Sequence, residues 1–350
     1  LMRMAEVLMY GVELESRCMS NVVASEDIVS FLVGTQNMKV PNEICYLSID
    51  GVRLVAKSRH HPPGEVRALA SHPTDQTIFA TGASDYGKMT PSHSLNLFRI
   101  KNESDKLEEV HSTPVESELK SLEWDSKGEK TAMILSKKVD ICDVKREFES
   151  FWSHTLQGTG SVAIWNPHSA GNVVGVTVDR SVITLDLRSK GEGNRIKEAH
   201  ALKATYIDFN PNMQHSAVSC GRDGQLRIWD WRNTSSSLFS LRAHAHWATQ
   251  VHFHPVHDEV LLSSGSDGSL LLSSAYSVSS DAKEPRQEEE GESRGTLMDG
   301  LLERIDEHED TIYACSWSTA DPWTFASLSF DGKILISHVK REHKYALMKL

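Results

Sequence analysis

The sequence has few cysteines, and their arrangement suggests neither a disulfide framework nor a zinc site. Its five cysteines are scattered over 350 residues and include no Cys-x-x-Cys pair. An odd number at wide spacing is typical of buried, reduced thiols in a cytosolic protein. The sequence also lacks the glycine patterns of Walker, dinucleotide-binding and kinase loops. No cofactor is therefore expected.

Long apolar runs and surplus basic charge are missing as well. The longest uncharged run, Phe151–Val178, contains Pro167 and four glycines, which is incompatible with a transmembrane helix. Three glutamates within the first sixteen residues argue against a signal peptide. Lys and Arg total 37 against 48 Asp and Glu, a net charge of -11. This balance disfavours binding to nucleic acid or directly to anionic membranes, so proteins are the expected partners.

The sequence does contain an internal repeat. Six short segments share one register, and the intervals between their last residues are 53, 41, 44, 44 and 64. The shorter intervals match repeat units of roughly 40 to 45 residues. The anchor residues that end these segments are Pro73, Ser126, Pro167, Pro211, Pro255 and Thr319.

Two further positions recur at fixed distances. An aspartate recurs 12 residues after five of the anchors, and a histidine stands 23 residues before three of these aspartates, at His200, His244 and His308. Turns such as "RDG" separate short apolar segments, as in "HSAVSCGRDGQLRIWD", and this pattern predicts antiparallel hairpins. The aspartates lie 12 residues after an anchor, at Asp85, Asp179, Asp223, Asp267 and Asp331.

These spacings predict an all-β chain that forms a single seven-bladed β-propeller over residues 1–350. Closure is expected to pair a last strand in "KYALMKL" with neighbours at the chain terminus, because a closed ring leaves no exposed sheet edge. The predicted blades are about 8–58, 60–100, 106–144, 148–189, 195–232, 238–278 and 305–350.

The long last interval is explained by an insertion. Residues 279–299 contain "SSDAKEPRQEEEGESRG", which is acidic and almost without apolar side chains. We expect a disordered acidic loop between the last two blades, acting either as a plain spacer or as a docking or phosphorylation segment.

The stretch "SCGRDGQLRIWDWR" raises the possibility of a catalytic triad, because Ser219 and Asp223 follow His200. The alternative is structural: a carboxylate at a tight turn is stable when hydroxyl, imidazole and the indole of Trp229 surround it. Partial copies recur elsewhere, whereas catalysis needs one site and an oxyanion hole. The sequence therefore favours a structural hydrogen-bond network. The partial copies are Thr81 with Asp85, His244 with Ser263 and Asp267, and His308 with Ser327 and Asp331; Ser273 and Ser337 stand where counterparts of Trp229 would lie.

Trp229-Asp230 at a strand end, with Asp223 and His200 ahead of it, resembles the WD-repeat signature. In that family His, Ser, Asp and Trp hold a blade together. The segments "YGVELESR", "DFNPN", "AHAHWATQVHF" and "DPWTFASLSFDGKILI" further resemble the family of EARP and GARP complex-interacting proteins.

This resemblance implies a non-enzymatic adaptor of the EARP and GARP vesicle-tethering complexes. It implies a part in endosomal recycling, endosome-to-Golgi retrograde transport and dense-core vesicle cargo sorting. The expected location is cytoplasmic and peripheral to endosomes and the trans-Golgi network, with membrane contact only through partners. The alternative is a WD-repeat scaffold for another assembly, such as chromatin or a ubiquitin ligase.

Candidate partner-binding residues lie near the blade turns on the side that carries the recurring histidines and aspartates. They are Lys203, Arg222, Trp247 and Asp310. Trp247 is the strongest candidate as an interface anchor, although packing between blades is an equal alternative. No metal site is expected, because no carboxylate or cysteine at ligand spacing completes the histidine-rich segment His244, His246, His252, His254 and His257.

Overall fold

The structure, a computed structural model, consists of seven four-stranded antiparallel sheets, so the predicted all-β, seven-bladed β-propeller is confirmed. The residues that it describes are 7–51, 53–87, 89–101, 104, 106–189, 191–282 and 298–348.

Each sheet is one blade. In blades 1 to 6 the strand that comes first in the sequence is the innermost one; blade 7 differs. Blades 1 to 3 comprise β2 (Ser16–Asn21), β3 (Ser30–Thr35), β4 (Glu43–Asp50) and β5 (Arg53–His60); β6 (Glu65–Ser71), β7 (Ile78–Asp85), β8 (Ser92–Ile100) and β9 (Leu107–Val115); β10 (Leu119–Trp124), β11 (Lys130–Leu135), β12 (Lys138–Asp143) and β13 (Glu149–Thr155).

Blades 4 to 6 continue the same order. They comprise β14 (Gly160–Trp165), β15 (Val173–Val178), β16 (Ser181–Asp186) and β17 (Gly191–Ile196); β18 (Ala204–Phe209), β19 (Ser216–Gly221), β20 (Gln225–Asp230) and β21 (Phe239–Arg242); β22 (Ala248–Phe253), β23 (Val260–Gly265), β24 (Leu270–Ser274) and β25 (Gly300–Ile305).

Blade 7 is assembled from both ends of the described chain. Its strands are β26 (Ile312–Trp317), β27 (Thr324–Ser329), β28 (Lys333–His338) and, outermost, β1 (Val7–Gly11); helix α1 (Arg341–Leu347) follows β28.

The ring therefore closes differently from the prediction. β1 pairs antiparallel with β28, from Val7 opposite Ser337 to Gly11 opposite Lys333. The segment "KYALMKL" contributes to α1 instead, and Leu347 is buried in the apolar cluster between blades 6 and 7. Alternating apolar residues in so short a segment suit either a strand or a helix, and β1 already occupies the edge of β28.

The blades also divide the chain at other points than the predicted units. Units 106–144, 148–189 and 238–278 each begin with the outer strand of one blade and continue with three strands of the next. The repeat in the sequence is therefore offset by one strand from the repeat in space. The predicted acidic loop 279–299 falls largely on residues 283–297, which lie outside the described residues.

The second strands are buried along their whole length in several blades, as in β19 and β27. Both faces of such a strand pack against a neighbouring blade, which explains why neither β19 nor β27 contains a charged residue. Asp-Gly sequences make the turns between the second and third strands of blades 5 to 7; Gly224, for example, has φ +72°, a conformation that favours glycine.

The first strands surround a central channel of about 880 Å³. Because successive strands are antiparallel, the connections from the second to the third strand and from one blade to the next share one face of the ring. We call this the His/Asp face, since it carries His200 and Asp223. In the part of the chain that the structure describes, no helix is long and apolar enough to cross a membrane.

Candidate functional site

In blade 5, four side chains form one hydrogen-bonded chain. Trp229 donates its indole N–H to Ser219 Oγ at 2.9 Å, and Ser219 Oγ lies 2.8 Å from His200 Nε2. His200 Nδ1 lies 2.9 Å from Asp223 Oδ1. A consistent set of donors is Trp229 to Ser219, Ser219 to His200, and His200 Nδ1–H to the carboxylate of Asp223.

The environment of Asp223 favours its ionised form. Burial alone would raise the pKa of this carboxyl, but the hydrogen bond from His200 and the backbone N–H groups of Ala201 and Gln225 lower it to about 2. The Ala201 N–H donates to the second oxygen at 2.9 Å. The carboxylate thus ties the entry of β18 to the turn before β20.

The order Ser, His, Asp is that of a hydrolase triad, but the hydroxyl has no access to a substrate. Ser219 is 1% exposed and His200 is 0% exposed. Ser219 Oγ already accepts from an indole and contacts the imidazole, so both sides of the oxygen are occupied by protein. Attack on an external carbonyl would require the blade to open.

The partial copies reproduce the arrangement to different degrees. His244 contacts Ser263 Oγ at 3.0 Å and Asp267 Oδ1 at 3.1 Å. His308 contacts Ser327 Oγ at 2.7 Å, but its other nitrogen contacts Ser329 Oγ, which in turn donates to Asp331.

The histidine of blade 2, His61, was not predicted from the sequence. His61 Nε2 lies 2.9 Å from Thr81 Oγ1, and the ring is buried. His61 stands 24 residues before Asp85, one more than in the other copies. A search that allowed one extra residue in the connection between blades would have found it.

Ser273 and Ser337 lie at the strand positions that correspond to Trp229. Ser273 pairs with Leu261 and Ser337 with Phe325, just as Trp229 pairs with Ala217. Both hydroxyl groups are buried without a hydrogen-bond partner among the described residues. These two blades therefore lack the indole donor that completes the chain in blade 5.

Three of the four candidate partner-binding residues lie together on the His/Asp face. The Arg222 guanidinium stacks on Trp247, with its carbon 4.4 Å from the ring centroid. Trp247 is 40% exposed and also stacks on His246. Lys203 is half-buried, and burial together with the charges of Lys120 and Arg222 lowers its pKa. Asp310 is exposed at the entry to β26, where it accepts the Thr311 N–H.

Two more cations join this group at the end of the channel. Arg17 and Lys120 each occupy the second position of a first strand, in β2 and β10, and line the channel. The Arg17 guanidinium lies over the rings of Tyr313 and Phe330, at 4.7 and 4.9 Å. We call the rim formed by Arg17, Lys120, Lys203, Arg222 and Trp247 the channel mouth.

The channel is acidic farther in. Glu123 is three residues beyond Lys120 on β10, which is about 10 Å deeper. Burial, with a contribution from the charge of Asp208, raises the pKa of Glu123 to about 8. Burial likewise raises the pKa of Asp208 to about 7, against the opposing effect of N–H groups from Phe253 and Phe209.

The histidine-rich segment does not converge on one point. His252 faces Tyr206 in the channel, with ring centroids 4.8 Å apart, whereas His254 is buried against Trp317 at 4.7 Å. Trp323 packs between His257 and Lys344. Over the ranges described, no group of three or more His, Cys, Asp or Glu side chains could hold a metal ion.

Comparison with known proteins agrees with this geometry. Residues 4–273 match the EIPR1 beta-propeller family, and residues 300–336 match the WD domain, G-beta repeat. EARP-interacting protein 1 of Caenorhabditis elegans is 44% identical, over 99% of this chain and 100% of its own. EARP and GARP complex-interacting protein 1 of Homo sapiens is 29% identical, with 97% and 98% covered.

A plant relative extends the comparison. WD repeat-containing protein DWA2 of Arabidopsis thaliana is 30% identical over 95% of this chain and 96% of its own. The resemblance predicted from the segments quoted above is confirmed. Since the first family match covers most of the sequence and the Caenorhabditis elegans relative aligns along essentially all of it, the chain belongs to the EIPR1 β-propeller family.

Proposed function

We propose that the chain is a non-enzymatic adaptor that binds the EARP and GARP vesicle-tethering complexes. The observation that carries this proposal is the similarity to relatives whose names state such interactions. This similarity extends over at least 97% of this chain. The burial of Ser219 and His200 supports an adaptor rather than a hydrolase, because the triad-like residues face one another inside a blade.

The fold suits this role physically. Seven sheets closed into a ring hold the connecting loops of the His/Asp face in fixed positions, so little conformational entropy is lost when a partner binds. Lys203, Arg222, Trp247 and Asp310 are proposed to contact the partner, with Trp247 as the anchor because it presents an exposed aromatic surface beside a stacked cation. His200, Ser219, Asp223 and Trp229 are proposed to stabilise the blade beneath them.

Through these complexes the chain would act in endosomal recycling, endosome-to-Golgi retrograde transport and dense-core vesicle cargo sorting. Its location would be the cytoplasm, peripheral to endosomes and the trans-Golgi network, with membrane contact only through its partners. The net charge of -11 supports protein partners over nucleic acid.

Affinity purification of the tagged full chain under gentle lysis tests the proposal. Mass spectrometry should recover subunits of both complexes in amounts comparable to the bait. Recovery of histones or of a ubiquitin ligase scaffold in their place would contradict it, as would the absence of tether subunits. Tagged Trp247→Ala serves as a matched bait that should retain the fold and lose most of the recovered subunits.

A further inference from the structure

The channel mouth carries a cluster of positive charge, which is unusual in a chain that is acidic overall. Arg17, Lys120, Lys203 and Arg222 come from blades 1, 3 and 5 and their connections, yet none forms an ion pair with a described residue. The protein as a whole carries a net charge of -11, so acidic side chains are abundant elsewhere.

Other basic residues nearby are neutralised, which makes the contrast specific. Arg67 lines the same channel but lies 2.7 Å from Glu65 and 3.4 Å from Glu118. Arg180, on the His/Asp face, lies 3.4 Å from Glu198. The cations of the channel mouth are therefore left unpaired while their neighbours are matched.

Three of the unpaired cations, Arg17, Lys120 and Lys203, are half-buried, whereas Arg222 is exposed and stacks on Trp247. Arg17 is fixed over two aromatic rings, and its Nε is buried without a hydrogen-bond partner among the described residues. Lys203 experiences repulsion from Lys120 and Arg222 that exceeds the attraction of Asp179, and an anion at the mouth would relieve this repulsion. Such a cluster favours carboxylates or phosphates, because three of its four cations are already partly desolvated on folding.

The mouth offers apolar surface beside the charge. Trp247 is 40% exposed and Leu202, next to Lys203, is 52% exposed. An inositol phosphate or lipid headgroup would use the cations alone, whereas a peptide would use both the charge and the apolar surface. Deeper in, the channel wall carries the carboxyl groups of Glu123 and Asp208 and none of these four cations, so an acidic ligand would find its positive partners at the mouth.

We propose that the channel mouth binds an acidic peptide segment of a partner protein, with its carboxylates at Arg17, Lys120, Lys203 and Arg222 and an apolar side chain against Trp247. This deepens the proposed function, on which it rests for the identity of the partner: it gives the contact surface a defined chemistry and direction of approach.

A library of random dodecapeptides displayed on phage, selected on the immobilised full chain, tests this inference without any tethering complex. The enriched peptides should be acidic and contain a large apolar residue. By fluorescence anisotropy, the most enriched peptide should bind at least about tenfold more tightly than its copy with Gln and Asn in place of Glu and Asp. The affinity of this peptide should decrease when the salt concentration is raised from about 50 mM to about 500 mM.

Variants locate the site. Lys120→Glu and Lys203→Glu should each weaken the peptide at least about tenfold. Lys127→Glu is the matched control, since it makes the same charge change at an exposed lysine in the turn after β10, on the opposite face. Its affinity should stay within about twofold of the wild type. Equal thermal unfolding of the three variants shows that the fold is retained.

Several results would overturn the inference. These are enrichment of neutral or basic peptides, no enrichment at all, or equal binding by Lys203→Glu and wild type. Binding of phosphoinositide-containing vesicles through Lys120 and Lys203, without selection of acidic peptides, would assign the mouth to lipid headgroups. Each of these results leaves co-purification of the tethering complexes unaffected, and loss of co-purification with intact peptide binding would contradict only the proposed function.

Discussion

Trp229 and Ser219 are joined across β19 and β20 by an indole N–H that donates to the serine oxygen at 2.9 Å. Through this bond the hydroxyl is turned toward His200 and away from solvent. The residue that would be the nucleophile of a hydrolase is thereby made the centre of a structural chain.

Removing Trp229 should destabilise the propeller strongly. The side chain is 6% exposed, so Trp229→Ala should cost about 3–5 kcal/mol in the free energy of unfolding. Trp229→Phe keeps most of the ring and loses the donor, and should cost about 1–2 kcal/mol. Urea unfolding followed by far-UV circular dichroism measures both. Identical midpoints for Trp229→Ala and wild type would refute a buried network.

Ser219 and Ser263 provide a comparison between a complete and an incomplete chain. Ser219→Ala leaves both the Trp229 indole N–H and His200 Nε2 without a partner, and should cost about 2–4 kcal/mol. Ser263→Ala affects only His244 and should cost about 1–2 kcal/mol. Equal losses in urea unfolding would contradict the role given to the indole. A fluorophosphonate probe should label neither serine in the native protein, and labelling of Ser219 would support the hydrolase alternative.

The closure of the ring makes β1 important for stability. A chain without residues 1–11 loses the strand paired with β28, which should lower stability by on the order of 3 kcal/mol and expose a sheet edge that self-associates. Differential scanning fluorimetry and light scattering measure the two effects. Met9→Lys, at a 56% exposed position in β1, is the control and should behave as wild type. A truncated chain that is monomeric and equally stable would refute closure by β1.

The channel carboxyl groups predict a pH dependence. Burial raises the pKa of Glu123 to about 8, from 4.5 in the unfolded chain, so the folded state retains a proton that the unfolded state releases. Stability from this group is present below about pH 4.5 and is lost as the pH rises toward 8. Glu123→Gln removes the titration, so its stability relative to wild type should grow by about 1–3 kcal/mol between pH 5 and pH 8. A constant difference in urea unfolding at the two pH values would contradict the buried, protonated carboxyl.

The fold and the network could be read from the sequence because a rigid hairpin fixes residue spacing. Ser219, Asp223 and Trp229 lie on two strands and one tight turn, so their separations repeat in register. His61 was not predicted because the length of the connection between blades varies by one residue. The closing strand was not predicted because β1 is separated from β28 by the whole ring in the sequence. A local sequence pattern carries no information about that pairing.

Lys203, Arg222 and Trp247 of the channel mouth were named from the sequence, whereas Arg17 and Lys120 were not, although the sequence contains a signal for Lys120. Lys120 stands six residues before its anchor Ser126, and the same column holds Arg67, Ser161, Thr205, Thr249 and Tyr313. Residues of one column from successive repeats meet in space only once the ring is closed. Aligning the repeats by column would have grouped the channel residues, but whether each cation is paired depends on neighbours such as Glu65 and Glu118 that only the structure shows.

The most direct test of the adaptor role is binding of the chain to purified EARP and GARP complexes by biolayer interferometry. We expect saturable binding of the wild type, at least about tenfold weaker binding of Trp247→Ala, and unchanged binding of Phe151→Ala, a similarly exposed aromatic on β13. Absence of binding by the wild type, or equal binding by Trp247→Ala, would contradict it.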